Sequence, residues 1–417
     1  MNNTIKKIPL RDLDVFISII GNAYPAFGIA SDQDREKMRQ RMVMVSKDPT
    51  IAHYGVYRGR KLVGGMRTYD FNMNLFSIET MVGGVGLVAV DLLHKKQKAC
   101  RDLIMYFIHL YQRKGSSMVA LYPFRPDFYR KMGFGYGAKL NLYRIQPEDL
   151  PSGGSREHLR YLAPGDRKVI KECSDRFWQK HHGMFKIKKH ELDYFFKNPA
   201  AKTVVYEDHK RIRGYLSFVF KRADDENMLK NHIVIRELVY ENRDVLRELL
   251  AFLRVQSDQI PQILFPTQDD MIHFLVKDPR DGSDNIIPMI GHQTNTQGVG
   301  VMYRVIDTRK IFRLLANHQF GGQSYRLKLS IHDSFLKDNN GSVVLQFDNG
   351  RASTKKGGAY DVEVTLDVSD FSSLLVGSVD YETLYRYGLT DISDAQYVDT
   401  VANTFRVKYK PICHTTF

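Results

Sequence analysis

Cysteine is scarce in this chain of 417 residues: Cys100, Cys173 and Cys413 are scattered, odd in number and free of any C-x-x-C spacing. That excludes a disulfide framework and a cysteine-based zinc module, and the expectation is a reducing, cytoplasmic setting. No stretch approaches the ~18–20 uninterrupted apolar residues that a membrane-spanning helix needs. The N-terminal apolar run is broken by Arg11, Asp12 and Asp14, with no small-residue cleavage site after it, so it does not read as a signal peptide. G-x-x-x-x-G-K-[ST] is missing, as is a G-x-G-x-x-G after a first strand, which excludes Walker and Rossmann phosphate loops. The adjacent His181 and His182 would diverge by about 100° on a helix, and no ligand set of recognisable spacing surrounds them; surface histidines and no metal are expected. What is present is ordinary globular material: 43% hydrophobic and 12% aromatic residues, long enough for two to four domains.

Charge is unevenly placed. Of 61 Lys+Arg and 47 Asp+Glu, residues 1–147 carry 23 and 11, residues 148–300 carry 24 and 23, and residues 301–417 carry 14 and 13. Nearly all of the +14 excess therefore lies in the first third. A phosphate-bearing partner, either nucleic acid or a small polyanion, would explain it; so would solvated surface lysines.

Hydrophobic periodicity divides the chain further. Helical spacing appears at 11–20 and 32–45, the second with Ser31 or Asp32 as cap. Residues 51–57 and 61–69 read as a hairpin around Arg58-Gly59-Arg60, and 83–90 (GGVGLVAV), apolar on both faces, reads as a central strand. A polar connector leads to an amphipathic helix from Ala99, whose Leu103, Ile104, Phe107, Ile108 and Tyr111 share a face and which Gly115 stops. Strand 117–122 ends at Pro123. The order hairpin, strand, helix, strand recurs at 202–207, 212–220, 232–240, 243–256 and 262–265, which indicates an internal duplication. Residues 291–300 (GHQTNTQGVG) read as a linker. The last third offers a strand at 301–306, a helix at 307–316, strands 324–332, 341–348 and 360–367 with a Gly/Lys turn at 355–358, then a helical stretch from Tyr381. The fold class is therefore α/β (α+β), with domains expected at 1–147, 148–295 and 296–417.

The chemistry concentrates at 84–134. Strand, basic connector and helix would set free backbone amides and the positive end of a helix dipole beside Lys95, Lys96, Lys98 and Arg101, an arrangement suited to a pyrophosphate. The second copy lacks this connector. After strand 117–122, prolines lead into Phe128-Tyr129-x-x-x-Gly133-Phe134.

These two segments resemble the acetyl-CoA site of GNAT N-acetyltransferases. The whole chain resembles the Eis (enhanced intracellular survival) family, through Val88-Ala89-Val90 with the connector, Leu121 to Phe134, Val301 to Asp307, and the terminal Phe417. The resemblance implies a catalytic GNAT domain, a degenerate GNAT-like domain without cofactor, and a sterol-carrier-like domain. It implies acetyl-CoA as cosubstrate, held by Val88, Ala89 and Val90 at the pantetheine arm, by Lys96, Gln97, Lys98, Ala99, Cys100 and Arg101 at the pyrophosphate, and by Phe124 and Arg125. It implies Tyr129 as general acid, the C-terminal carboxylate of Phe417 as general base, and a hexamer. The family loop usually reads Arg-x-x-Gly, and Lys98 stands at the glycine position.

Direct acetyl transfer to a primary amine, whether aminoglycoside-like, polyamine-like or a protein lysine, is therefore the expected reaction, with neither nucleic acid nor membrane as partner. It needs no enzyme nucleophile, so Cys100 is not expected to act as one. A binding protein without catalysis, using the third domain for lipid or the basic first domain for nucleic acid, is the alternative.

Overall fold

The computed structural model describes residues 3–355 and 357–417; the expected turn at 355–358 includes Lys356, which lies outside them. Two compact units emerge. One takes the chain up to Gly137, returns with Val301–Lys410 and includes Thr416–Phe417; the other comprises Ala138–Gly300 and Pro411–Thr415. Among the described residues no helix is long and apolar enough to cross a membrane.

The first unit starts from strand β1 (Thr4–Lys7), helices α1 (Leu13–Ala23) and α2 (Asp32–Val45), and the meander β2 (Ile51–Arg58), β3 (Lys61–Leu75) and β4 (Ile78–Val90). Ser31 caps α2 in a reciprocal capping box with Asp34, as its sequence position predicts. Helix α3 (Ala99–Arg113) follows, then β5 (Met118–Leu121), a short helix α4 (Pro126–Arg130) and β6 (Gly135–Tyr136). The predicted apolar face of α3 is fully buried, and it packs with Val85, Val119 and Leu121. Gly115 stops the helix with a φ of 85°, a left-handed conformation that glycine adopts without penalty. On the other side of the sheet, α1 packs Leu13, Phe16, Ile17 and Ile20 over Tyr57, Leu62 and Ala89.

The sheet order is β1-β2-β3-β4-β5, then Met302–Val305, then β6. The strand expected to open the third domain is thus inserted into the first sheet, antiparallel to β5. Arg304, on this strand, is fully buried and donates through its Nη2 to both carboxylate oxygens of Asp333 at 2.9 and 2.8 Å. It also donates to the carbonyl of Met132, just past α4. Breaking such a buried pair on one side costs about 3–5 kcal/mol, so this strand is fastened to its surroundings by more than its ladder. The remainder of the segment 301–410 forms a five-stranded sheet in the order 351–355, 341–348, 325–332, 362–367, 390–392.

The second unit repeats the plan. Its sheet runs 159–161, 201–208, 211–222, 231–240, 263–267, then β7 (Leu140–Ile145), then 295–298. Strand β7 falls inside the first expected domain by sequence yet pairs antiparallel with Ile263–Thr267 in the second sheet. The expected linker at 291–300 is also corrected: Asn295–Gly298 is a strand, paired with β7. Its polar, glycine-containing sequence suits an exposed edge strand, which is why composition alone suggested a loop. His181 is not a surface residue but half-buried, stacked on Phe177 with ring centroids 3.7 Å apart.

Candidate functional site

The site begins with a change of pairing. Strands β4 and β5 are hydrogen-bonded in parallel from Val82↔Met118 to Val85↔Leu121, where the pairing stops, although β4 continues to Val90. Beyond that point β4 keeps only β3, in register from Arg67↔Gly86 to Gly64↔Val90. A bulge marks the transition, with Leu87 at a φ of 49°. From Gly86 onward β4 therefore presents a strand edge that β5 does not occupy, and an extended amide chain can add to such an edge. Of the three residues expected here, Ala89 is buried against the α1 side, whereas Val88 and Val90 pack on the α3 side. The Val88 carbonyl already accepts a 2.8 Å hydrogen bond from the Tyr24 hydroxyl.

Past Val90, Asp91 caps a short 3-10 turn at Leu92–His94, and the connector reaches α3 through two left-handed residues, Lys96 (φ 60°) and Lys98 (φ 65°). Lys98 is the N-cap, with no side-chain cap bond, so the first amides of α3 are not capped by it. Left-handed residues interspersed in a turn let successive N–H groups converge on an anion, and the helix dipole adds to the attraction. Lys96 and Lys98 are exposed. The six cradle residues do not contribute alike. The side-chain amide and backbone carbonyl of Gln97 are both taken by Arg58, Ala99 is buried in the core, and the Arg101 guanidinium lies 5.8 Å from the Phe335 ring. Arg58, at the end of β2, also reaches Asn3 at 3.0 Å and His94 at 3.3 Å, so it braces the loop from beneath.

At Lys98, the glycine position of the resemblance, the backbone keeps a glycine-like conformation although the side chain does not favour it. Lys98→Gly is expected to raise stability by roughly 0.5–1 kcal/mol, the left-handed penalty less the entropy of glycine. Urea denaturation measures it; a lower midpoint would show that the lysine side chain contributes more than its backbone strain costs.

Burial pushes the Cys100 thiol up to about 12, which keeps it protonated at neutral pH and unsuited to nucleophilic attack. Phe124 is exposed, and Arg125 is engaged in a bidentate pair with Asp127 at 2.8 and 3.0 Å, which raises the guanidinium and lowers the carboxyl from their usual values. Arg125 is thus held by a carboxylate of its own turn and, as the N-cap residue of α4, makes no side-chain cap bond.

Tyr129 lies on α4, 2% exposed, edge-on to Phe124, Phe128 and Phe134 at 5.8, 5.4 and 6.0 Å. It belongs to the cluster of Val85, Leu121 and Ala99, with Val88 and Cys100 packed against it, where β4 and β5 part. Burial first, then the neighbouring Cys100 and Tyr24, raises the phenol well above its ordinary value. Its hydroxyl has no hydrogen-bond partner among the described residues.

Phe417 lies on the opposite face of β4. Its ring meets Phe71 at 4.9 Å, Tyr122 at 5.2 Å and Tyr69 at 5.7 Å. A Cβ added to Gly84 would sit 3.3 Å from this ring, and one added to Gly86 would sit 2.8 Å from the Phe417 carboxyl carbon. The glycines of GGVG are thus what lets the end of the chain lie against the strand. Gly84 and Gly86 flank Val85, which points the other way into the cluster holding Tyr129. The two residues singled out by resemblance therefore stand on the two faces of β4 at one level. Sequence reasoning passed over Tyr24, Arg58 and the two glycines. Glycine inside a strand signals close approach of another backbone and was the available clue for the last pair.

Comparisons with known proteins agree with this anatomy. Residues 4–137 and 174–305 each match an acetyltransferase (GNAT) domain model, and residues 311–414 match a sterol carrier protein domain. No curated protein matches the chain. Among solved structures, the whole chain superposes on a GCN5-related N-acetyltransferase from Anabaena variabilis with a TM-score of 0.79 at 16% identity, covering 100% of both chains. A GCN5-related N-acetyltransferase from Kribbella flavida gives 0.79 at 17% identity over 100% of this chain and 98% of the other. Eis1 from Mycobacterium abscessus gives 0.77 at 15% identity over 100% of both. Two acetyltransferase (GNAT) domains, which together span more than half of the chain, and a sterol carrier protein domain make this chain a GNAT-type acyltransferase with the fold of Eis1.

Proposed function

We propose that the chain transfers an acetyl group from acetyl-CoA directly to a primary amine, with Tyr129 as general acid and the Phe417 carboxylate as general base. The observation that carries this reading is the parting of β4 from β5 after Val85↔Leu121, beside the uncapped start of α3 and its two left-handed lysines. The strand edge from Gly86 would take the amides of the pantetheine arm, and Lys96, Lys98 and the first amides of α3 would take the pyrophosphate. Acetyl-CoA supplies the activated thioester.

The chain's own groups manage the protons. An amine delivered as an ammonium ion loses a proton to the Phe417 carboxylate; its nitrogen then forms a bond to the thioester carbon, the carbon–sulfur bond breaks, the departing sulfur takes a proton from Tyr129, and the second proton released by the acylated nitrogen restores the Tyr129 phenol through solvent. The products are an N-acetyl amine and free CoA. A thiolate with a pKa near ~8.5 is protonated readily by a phenol held nearby, and placement matters more than acidity. Burial keeps that phenol protonated throughout the neutral range. Because Tyr129 and Phe417 occupy opposite faces of β4, donor and acceptor of protons need not compete for the same space. Substrate amine and thioester would meet where the strand edge is open.

The test is a calorimetric titration with CoA followed by turnover on an amine panel, read as thiol release. Micromolar CoA binding with release that depends on the amine is the expected result. Absence of CoA binding would sink the proposal.

A further inference from the structure

The reading above puts the amine on the face of β4 that carries Phe417, and the chemistry of that face continues on β3. Side chains alternate along a strand, so Arg67, Tyr69 and Phe71 share one side, with successive members roughly 6.5–7 Å apart. Tyr69 and Phe71 stack on each other at 5.3 Å and both touch the Phe417 ring. Arg67 is next in the row. It is the register partner of Gly86, against which the Phe417 carboxyl carbon lies.

Arg67 is 8% exposed, and its guanidinium is unusual for a buried one because no carboxylate pairs with it among the described residues. Its one side-chain hydrogen bond goes from Nε to Nε2 of His53, at 2.8 Å. Accepting that bond leaves the His53 proton on Nδ1, which faces Ser46 Oγ at 3.2 Å, and Ser46 in turn donates to the Met42 carbonyl. The imidazole is therefore neutral, and burial with the adjacent guanidinium lowers it to about 3. No negative charge comes from this quarter. The nearest acid along the strand, Asp70, points to the other side, where Tyr111 and Lys114 hold it. A buried guanidinium without a counter-ion is costly, and in proteins such charges are paired.

We propose that the counter-ion is carried by the substrate: the acceptor is a primary amine that also bears a carboxylate, which Arg67 receives while the aromatic row of Tyr69, Phe71 and Phe417 lies along its body. This rests on the acetyl-transfer reading and narrows it, away from polycationic acceptors. The carboxylate of Phe417, against Gly86, is the acid of that row, and the reacting ammonium occupies it, so a second cationic group would meet Arg67 as a like charge. Arg67 is thus a specificity-determining residue.

Matched acceptors test this with the full chain and acetyl-CoA: 4-aminobutyrate against butylamine, 4-(aminomethyl)benzoate against benzylamine, and spermidine as the polycation. The carboxylated member of each pair is expected to have the higher kcat/KM. Arg67→Gln should abolish that preference, lowering kcat/KM on the acids roughly 10- to 100-fold, as loss of a charge-assisted pair does, with the neutral amines nearly unchanged. Arg67→Lys should keep part of it. The preference of the unaltered chain stands as evidence even if the glutamine variant folds poorly, and CoA titration of each variant checks its fold. Equal loss on all acceptors in Arg67→Gln, or a preference of the unaltered chain for butylamine, benzylamine or spermidine, would overturn the inference while leaving acetyl transfer intact. No CoA binding and no turnover on any amine would overturn both.

Discussion

Tyr129→Phe should lower kcat by about 10²- to 10⁴-fold, the usual contribution of a positioned general acid, with the KM for acetyl-CoA unchanged. The substitution removes one hydroxyl that has no hydrogen-bond partner among the described residues and leaves the ring packed among Phe124, Phe128 and Phe134. Urea denaturation should therefore show little loss of stability, which separates a chemical effect from a structural one. The pH profile sharpens the test. A general acid works in its protonated form, and burial raises this phenol above its ordinary 10.0. Activity should therefore show no decline assignable to Tyr129 between pH 8 and 10. A basic limb that begins near pH 8 and disappears in Tyr129→Phe would place the phenol in an environment unlike the one described. Turnover of Tyr129→Phe within a few-fold of the unaltered chain would remove the assigned role.

Removing Phe417 should be comparably severe, again about 10²- to 10⁴-fold in kcat, because it takes away the proposed base. Two further variants divide the effect. Appending two glycines keeps the ring among Tyr69, Phe71 and Tyr122 but moves the free carboxylate off Gly86, so activity should fall nearly as far as in the truncation. Phe417→Leu keeps a terminal carboxylate and loses the ring contacts, so the loss should be much smaller. Gly86→Ala approaches the same point from the strand, since its methyl would lie 2.8 Å from the Phe417 carboxyl carbon, closer than carbon atoms tolerate. It should depress kcat more than it weakens CoA binding, since the pyrophosphate cradle at the connector is left unaltered. Full activity in the glycine-extended chain would show that the ring, and not the carboxylate, is what the site requires.

Much of the framework was legible because its signals are local. The face of α3 was readable from five apolar residues at helical spacing, and Ser31 from its place before α2. The central nature of β4 followed from a run apolar on both sides. The limits of β3 and β4 were not readable. Both strands extend to a hairpin whose turn residues, Phe76 (φ 54°) and Ser77 (φ 67°), adopt left-handed conformations that Asn-Gly would have announced. The predicted strands 61–69 and 83–90 stop short for that reason: the polar residues Asn72, Asn74 and Glu79 conceal the outer half of the ladder. Tyr129 and Phe417 were expected only through the resemblance to the Eis family, since neither residue stands out by composition in a chain with 23 Tyr and 24 Phe.

The sequence by itself determined the periodic elements, the duplicated order, the concentration of positive charge in the first third and the basic connector that leads into α3, since each depends on residues within one or two turns of chain. Tertiary structure alone decided that Met302–Val305 joins the first sheet, that β7 joins the second, that the last residue lies on Gly86, and that Arg67 is buried with its Nε on His53. Those facts depend on pairing between residues up to hundreds of positions apart. A strand's own pattern specifies which faces it buries but carries no label for the neighbour that will cover its edge.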